Sequence, residues 1–371
     1  MALTRLVVVG GGVIGTALAV EAVQRGHEVL QLERDAEPRA ASVRNFGLIW
    51  ICGRAAGREL ELALAGHRRW LELSRRARGI GLRELGSLVV ARNEAELGVL
   101  AAACERDDAA RRQFTLLTPE ESRRVVPALG DEIVGALHSP LDAVIEPAAA
   151  LAALRALAAE SGRYRFLPER TVLAVDGGAV DHRGDCHDAD LVVVSTGDFL
   201  ELVPTAVQQR ARLSRRRLQM LETTPNGSAL ETAIADGDAL RYYPAFDLPE
   251  RERLPPAEPV VERLKAQLLV VPRADGGLTI GDTHVDDPGV PPGSDEEADD
   301  YLLRRAGELL PGVSLRVRRR WTGSYLRRAD GADSVLIERT RADSLLVTAV
   351  GGMGMTAAPA IAAEALDSVG L

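Results

Sequence analysis

The first 33 residues restrict the fold more than any other part of this chain. Leu6-Val7-Val8-Val9 is a short apolar run, rich in β-branched residues, that ends in Gly10-Gly11-Gly12-Val13-Ile14-Gly15. A helical stretch follows to Arg25, then a turn at Gly26, a second apolar strand from Val29 to Leu32, and an acid, Glu33. Each residue type has a physical reason for its place. Gly10 permits a tight turn, Gly12 lets the backbone approach a pyrophosphate, and Gly15 lets the helix pack closely on the sheet. The helix N-terminus then presents free N–H groups and a positive dipole end to phosphates. Glu33, eighteen residues beyond Gly15, is placed to accept hydrogen bonds from the ribose hydroxyls of an adenosine. Strand, glycine turn, helix, strand and acid together predict a dinucleotide site. The acid favours a free 2′-hydroxyl, with Arg34 pulling the other way, so FAD or NAD is expected in preference to NADP.

The rest of the chain bears on that choice. A nicotinamide enzyme continues with further parallel strand and helix units. Here Ala41 to Trp50 reads as an extended loop, followed by a helix from about Gly57 to Arg78 with Leu60, Leu64, His67 and Leu71 on one stripe. His67 on that stripe reads as a packed helix residue. Asp190 to Gly197 reads as a buried strand running into a small-residue turn, and Ser344 to Thr356 as a strand and second glycine loop. A helix from Ala357 to Leu366 follows, whose N-terminus is placed to stabilise negative charge on a reduced flavin ring. Two glycine turns at opposite ends of the chain suggest one long cofactor.

Composition narrows the function classes. The 371 residues carry 45 Lys plus Arg against 54 Asp plus Glu, a net charge of −9. That argues against general nucleic-acid binding, and any anion must meet a local cluster of arginines. Lys265 is the only lysine, so Schiff-base chemistry has one candidate. Cys52, Cys104 and Cys186 are odd in number and widely spaced, which suggests a reduced, cytoplasmic setting. No run of about 18 apolar residues occurs, so no membrane span is expected. Leu6–Val9 reads as a buried first strand and not as a signal peptide. The length suggests two domains. Alternating runs from Leu85 to Val90 and from Leu268 to Ile280 look like sheet strands, while 255–259 and 288–300, rich in Pro, Gly and acid, read as solvated connections.

Several of these segments match one family. Gly10, Gly12, Gly15 and Glu33, the loop from Ser42 to Gly47, Ser195-Thr196-Gly197, Trp321-Thr322-Gly323, Gly351-Gly352-Met353-Gly354 and the stretch from Val270 to Thr283 resemble the D-amino-acid-oxidase-like superfamily of FAD-dependent amine and amino-acid oxidases, which includes glycine and sarcosine oxidases. The resemblance spans nearly the whole chain. Ser42 to Trp50 is most similar to the branch linked with aminophosphonate catabolism, whose substrates are related to 2-aminoethylphosphonate. The resemblance implies an α/β fold in which a Rossmann-like FAD-binding domain (1–78, 143–209 and 322–371) is interleaved with an antiparallel-sheet α+β substrate domain (79–142 and 210–321). It places Val13, Ile14, Arg34, Ser42, Arg44, Asn45, Phe46, Gly47, Leu48 and Val172 on the cofactor, together with Gly323, Met355, Thr356 and the glycines already named.

Flavin oxidation of an amine moves a hydride equivalent from the nitrogen-bearing carbon to the ring, so the protein needs neither a strong nucleophile nor a metal. The six histidines show no metal-ligand spacing. An anionic substrate requires guanidinium forks. Candidates are Arg44, Arg241, Arg273, Arg327 and Arg328. Family members place a substrate arginine shortly after the Trp321-x-Gly323 turn, a role that falls here on Arg328 or on Tyr325. Tyr242-Tyr243 stands out in a chain with 4% aromatic residues and is expected to cover or bond the substrate. His284 is a candidate proton acceptor, and Trp50 is expected to wall the flavin. Sarcosine-oxidase-type members attach flavin through a cysteine in the C-terminal third. This chain has none beyond Cys186, so noncovalent FAD is expected. The leading expectation is oxidation of a small amine, an aminophosphonate among the candidates, with O2 or another acceptor taking the electrons. A glycine-, D-amino-acid- or sarcosine-type oxidase or dehydrogenase is the alternative among enzymes, and a non-catalytic flavin-binding subunit the alternative outside them.

Overall fold

The computed structural model describes residues 3–225, 227, 230–286, 293–330 and 335–371. At its centre Arg5–Val9 pairs in parallel with Glu28–Leu32 on one side and Leu191–Val194 on the other. Tyr164–Leu167 extends the sheet beyond Glu28–Leu32, and Ser344–Thr348 extends it beyond Leu191–Val194, both in parallel. The antiparallel strand Leu336–Arg341 closes one edge. Four valine- and leucine-rich strands are buried on both faces, as a parallel sheet covered on both sides requires. The start, middle and end of the chain all contribute strands, so the interleaving is built into the sheet itself.

One face is covered by helices. Val13–Gln24 is buried around nearly its whole circumference, Pro147–Ala159 and Gly354–Asp367 pack beside it, and Arg58–Arg76 packs on Gly354–Asp367. Gly66 makes the last pairing possible, because a Cβ there would sit on the Thr356 carbonyl oxygen. The expected stripe is largely internal: Leu60, Leu64 and His67 are buried and Leu71 half-buried, and burial holds His67 below its ordinary pKa, so it packs as a neutral ring. The opposite face carries the three-stranded sheet Val172–Val175, Gly178–Asp181 and Cys186–Asp188, which closes a core with Val7, Val9 and Val192.

A nine-stranded sheet forms the second layer. Its order is Val285–Asp286, Ser214–Thr223, Leu278–Gly281, Leu269–Pro272, Ala233–Ala235, Ser87–Ala91, Gly135–Ser139 and Thr115–Leu117, with Val317–Arg327 also paired to Ser214–Thr223. It departs from a purely antiparallel sheet at one pair, Ala233–Ala235 with Ser87–Ala91, which runs parallel and is reached by a long crossover. The boundary expected at residue 322 falls inside Val317–Arg327. That strand pairs with Ser214–Thr223 throughout, so the nine-stranded sheet keeps the chain to Arg327. Of the connection expected over 288–300, residues 288–292 lie outside those described. Its end is helical, because Glu296–Leu309 starts on an Asp295 cap that accepts the Glu297 N–H at 3.0 Å, and three acids in the first turn complement the dipole. Among the described residues no helix is long and apolar enough to cross a membrane.

Trp70 ties two of the covering helices together. Its ring is fully buried and its indole N–H donates to the Met355 carbonyl at 2.8 Å, at the start of the last helix. Trp70→Ala should lower unfolding free energy by about 3–5 kcal/mol in chemical denaturation.

Candidate functional site

A cavity of about 610 Å³ runs between the two sheets. One end is built by the first glycine turn. Gly10 has φ +115°, and a Cβ there would overlap the Ser195 carbonyl oxygen; a Cβ on Gly15 would overlap the Gly10 carbonyl oxygen. Turn, helix and the Leu191–Val194 strand end therefore meet backbone to backbone, leaving the helix N-terminus open to the cavity. Ser42 reaches over that terminus and accepts the Val13 N–H at 2.9 Å. Glu33 lines the same end. Its carboxylate is oriented by the N–H groups of Gly11 at 2.7 Å and Asp35 at 3.0 Å. Arg34 lies over the Phe199 ring, 3.4 Å from its centroid, and both line the cavity. The wall continues through Val172, Ser195, Thr196 and Gly197 to the second glycine loop at Gly351, Gly352, Gly354 and Met355.

The loop between Ser42 and Arg54 forms one long side and is held from behind. Asn45 spans it, accepting from Gly47 N at 2.7 Å and donating to Ala41 O at 2.9 Å. Gly47, at φ +66°, presses on Ile145, where a side chain would collide with the carbonyl. Arg273 bonds the Phe46 carbonyl at 2.6 Å, the Ile145 carbonyl at 3.2 Å and the Glu146 carboxylate. Further on, Asp142 accepts the N–H groups of Ile51 at 2.6 Å and Cys52 at 3.2 Å. Burial raises the Asp142 carboxyl to about 6 against the pull of these bonds and of Ser87. The fully buried Arg112 holds the carbonyls of Ile51, Cys52 and Arg54 at 3.1, 3.2 and 2.8 Å. Donors and acceptors of this irregular segment are thus satisfied by side chains, as a buried loop demands. It presents Trp50 and Arg54 to the cavity, beside Arg44, Asn45, Phe46 and Leu48. Arg54 donates to the Trp50 carbonyl at 2.9 Å and to the Gly352 carbonyl at 3.2 Å.

At the other end lies an aromatic chamber. Tyr242 stacks on His284 with centroids 3.9 Å apart, and Tyr243 meets Tyr242 edge-on at 5.1 Å and Trp50 at 5.6 Å. Leu218, Met220 and Leu269 complete its apolar walls. The Tyr242 and Tyr325 hydroxyls are hydrogen-bonded to each other, and burial raises both phenols. Arg216 pairs with both Asp286 oxygens at 2.8 Å and donates to the Tyr242 hydroxyl at 3.2 Å. Arg327 shares the same carboxylate at 3.0 and 2.6 Å. The Arg216 bond and then Arg327 hold Asp286 far below the usual carboxylate range. Asp282 moves the other way. Burial raises it to about 8, opposed by a hydrogen bond from Gln267 at 3.2 Å. Burial and the nearby Arg216 charge press His284 down to about 3, which makes it a poor proton acceptor.

Most residues expected at the site therefore share one cavity. Gly10, Gly12, Val13, Ile14, Glu33, Arg34, Ser42, Asn45, Phe46 and Leu48 line it, as do Arg44, Trp50, Tyr242, Tyr243, His284, Gly323, Tyr325 and Arg327. Gly15, Gly47, Met353 and Thr356 stand behind its wall; Thr356 holds the Trp50 N–H at 2.9 Å. Three arginines expected at the substrate do not line the cavity. Arg241 donates to the Pro255 carbonyl, Arg273 clamps the loop, and Arg328 pairs with Asp330 at 3.2 and 2.6 Å. Sequence reasoning missed Arg54, Arg112, Asp142, Arg216, Asp282 and Phe199. Only Asp282 left a sequence signal, a lone acid directly after the fully buried strand Leu278–Gly281. Among the described residues no group of acids, histidines and cysteines is arranged to hold a metal ion.

A pyrophosphate cradle, a ribose acid and a second glycine loop on one long cavity that ends in an aromatic chamber define a flavin-dependent oxidoreductase. The chain belongs to the FAD dependent oxidoreductase family (DAO), whose profile matches residues 5–367. FAD is its cofactor, and the Gly10 and Gly15 cradle is shaped for the diphosphate. The chain is 25% identical over 357 residues to an opine oxidase subunit of Rhizobium meliloti, covering 88% of this chain and 83% of that one. Its fold is that of glycine oxidase from Bacillus cereus ATCC 14579, with a TM-score of 0.79 at 19% identity over 99% of this chain and 94% of the other. It also matches iminodiacetate oxidase from Chelativorans sp. BNC1, with a TM-score of 0.74 at 18% identity over 97% and 94%. FAD-bound L-alpha-glycerophosphate oxidase from Mycoplasma pneumoniae gives 0.77 at 21% identity over 100% and 96%.

Gly15→Val should lose both the flavin absorbance band and stability to chemical denaturation, because its side chain would occupy the Gly10 carbonyl on which the turn, helix and strand meet. None of the three cysteines lines the cavity. Acid precipitation of the wild type should therefore leave all the yellow colour in the supernatant, and colour in the pellet would show a covalent flavin.

Proposed function

We propose that the protein oxidises a small amine bearing an anionic group, giving an imine that hydrolyses to a carbonyl compound. The observation that supports this most directly is the continuity of the cavity, which leads from the FAD cradle into a chamber with an acid, three tyrosines and several arginines. Bound FAD supplies a hydride acceptor at its ring. The protein contributes the remainder. Trp50, Leu218, Met220 and Leu269 keep the chamber apolar, so that each charge inside acts strongly. Arg216 and Arg327 are engaged with Asp286, whereas Arg44 gives one bond, to the Thr322 carbonyl at 3.0 Å. Arg44 and Arg54 are accordingly the residues we assign to the substrate anion, Arg54 at the second glycine loop and Arg44 at Gly323. Tyr325, two residues beyond Gly323 on the same strand, and Arg328, paired with Asp330, are the two positions on which the family resemblance puts a substrate arginine, and neither offers a free guanidinium, which shifts anion recognition towards Arg44 and Arg54.

Two substrate classes fit this arrangement. The Ser42–Trp50 loop favours a phosphonate related to 2-aminoethylphosphonate. The similarity to an opine oxidase favours an N-carboxyalkyl amino acid, and since that relative is named as one subunit of its enzyme, a second polypeptide belongs to the same reading. The lined chamber argues against a purely structural flavin subunit. Anaerobic mixing with 2-aminoethylphosphonate, glycine and an N-carboxyalkyl amino acid should bleach the flavin with one of them; bleaching by none would sink the proposal. Peroxide on readmitting air identifies an oxidase, and a flavin that stays reduced in air identifies a dehydrogenase. Arg44→Met and Arg54→Met should each raise KM about 10- to 100-fold with a much smaller change in kcat.

A further inference from the structure

We propose that Asp282 holds the substrate ammonium and takes a proton from it before the C–H bond breaks. This rests on the amine reading above.

Asp282 is 4% exposed and lines the chamber. Several other deeply buried acids have a cationic partner: Asp236 pairs with Arg305 at 2.8 Å, Asp299 with Arg320 at 2.5 Å and Glu222 with Arg319 at 2.6 Å. Asp142 and Glu33 are instead each held by two backbone N–H groups. Asp282 has no arginine or lysine in ion-pair range among the described residues. Its neighbours are the Gln267 amide at 3.2 Å and His284 Nε2 at 3.4 Å. A buried carboxyl that faces a substrate chamber without a counter-ion favours the entry of a cation, and an amine substrate brings one.

The groups around it leave it without a competitor. On its own segment, His284 is neutral across the working range and Asp286 is committed to Arg216 and Arg327. Across the sheet, Arg216 is committed to Asp286 and the Tyr242 hydroxyl. From the Tyr242-Tyr243 segment and from Val317–Arg327, the three phenols are raised by burial and stay protonated. Arg54 faces Tyr243 from the far loop. Of these groups only Asp282 can exchange a proton near neutrality. Burial brings it to about 8, much closer to an alkylammonium near 10 than an ordinary carboxylate near 4. Transfer between nitrogen and oxygen is correspondingly easy.

In that transfer one N–H bond breaks, an O–H bond forms on Asp282, and the electron pair returns to nitrogen. That pair is then free to form the C=N bond of an iminium ion, for which bound FAD would accept the C–H hydrogen with its two electrons. The new Asp282 O–H can donate to the neutral His284 Nε2, making His284 a positioning residue.

Asp282→Asn tests the assignment, with the amine that bleaches the wild-type flavin. If no amine bleaches the wild type, the functional reading itself has failed. The wild-type limiting rate of flavin reduction should be nearly flat from about pH 6.5 to 9.5, because the proton stays within the complex. The variant should be slower by about 100-fold at pH 7 and regain tenfold per pH unit towards the substrate's own pKa. An equal loss at every pH, or no loss, overturns the proposal. A second readout is binding: by flavin absorbance shift, the wild type should prefer 2-aminoisobutyrate, which has no hydrogen on its nitrogen-bearing carbon, to isobutyrate by tenfold or more. The variant should lose that preference while holding isobutyrate as before; a retained preference overturns the assignment. Should Asp282→Asn not retain FAD, Gln267→Leu serves in its place. It removes the bond that lowers Asp282, so the acid limb of kcat/KM should move to higher pH, and an unmoved limb counts against Asp282.

Discussion

Everything in this molecule follows from a backbone contact that tolerates no side chain. Gly10 lies against the Ser195 carbonyl and Gly15 against the Gly10 carbonyl, so the first turn, the first helix and a strand almost two hundred residues away share one point. This contact aims the helix N-terminus into the cavity and fixes the parallel pairing of Arg5–Val9 with Leu191–Val194. The central strands cannot then belong to a single continuous stretch, and the intervening chain is free to build the second sheet beside the cofactor cavity.

The two layers are joined at the site by charged groups used as fasteners. Arg273, Asp142 and Arg112 each bind backbone atoms of the loop from Phe46 to Arg54. A buried loop exposes peptide groups that no ladder satisfies, and these side chains meet that need while fixing Trp50 and Arg54. The acidic chain thus places its cations in two ways. Some are buried as structural clamps, and others, Arg44 and Arg54, keep donors for the cavity.

Much of this was legible in the sequence where one residue type performs one local task. The glycine turn, Glu33 and the second glycine loop carry their roles in their spacing, and all reach the same cavity. The arginines were not legible, because a guanidinium reads alike whether it binds a substrate, a carbonyl or a carboxylate. Arg273 and Arg328 were expected at the substrate and instead have carboxylate partners, Glu146, which only folding brings near Arg273, and Asp330, two residues along the chain from Arg328. Asp282 shows in the sequence only as an acid after an apolar run; that it lines the chamber with no arginine or lysine in ion-pair range among the described residues is a property of its three-dimensional surroundings. The domain boundary at residue 322 was drawn through a strand because the Trp321-x-Gly323 turn resembles a family signature, while the sheet follows hydrogen bonds to Arg327.

That strand has a consequence for how this site can diverge. Residues 323–327 of Val317–Arg327 all line the cavity, Gly323, Tyr325 and Arg327 from one face of the strand and Ser324 and Leu326 from the other, because successive strand residues face opposite ways. Inserting or deleting one residue upstream would exchange the two faces, parting Tyr325 from Tyr242 and Arg327 from Asp286. Homologues with new substrates are therefore free to exchange side chains along this strand but not to change its length by an odd number.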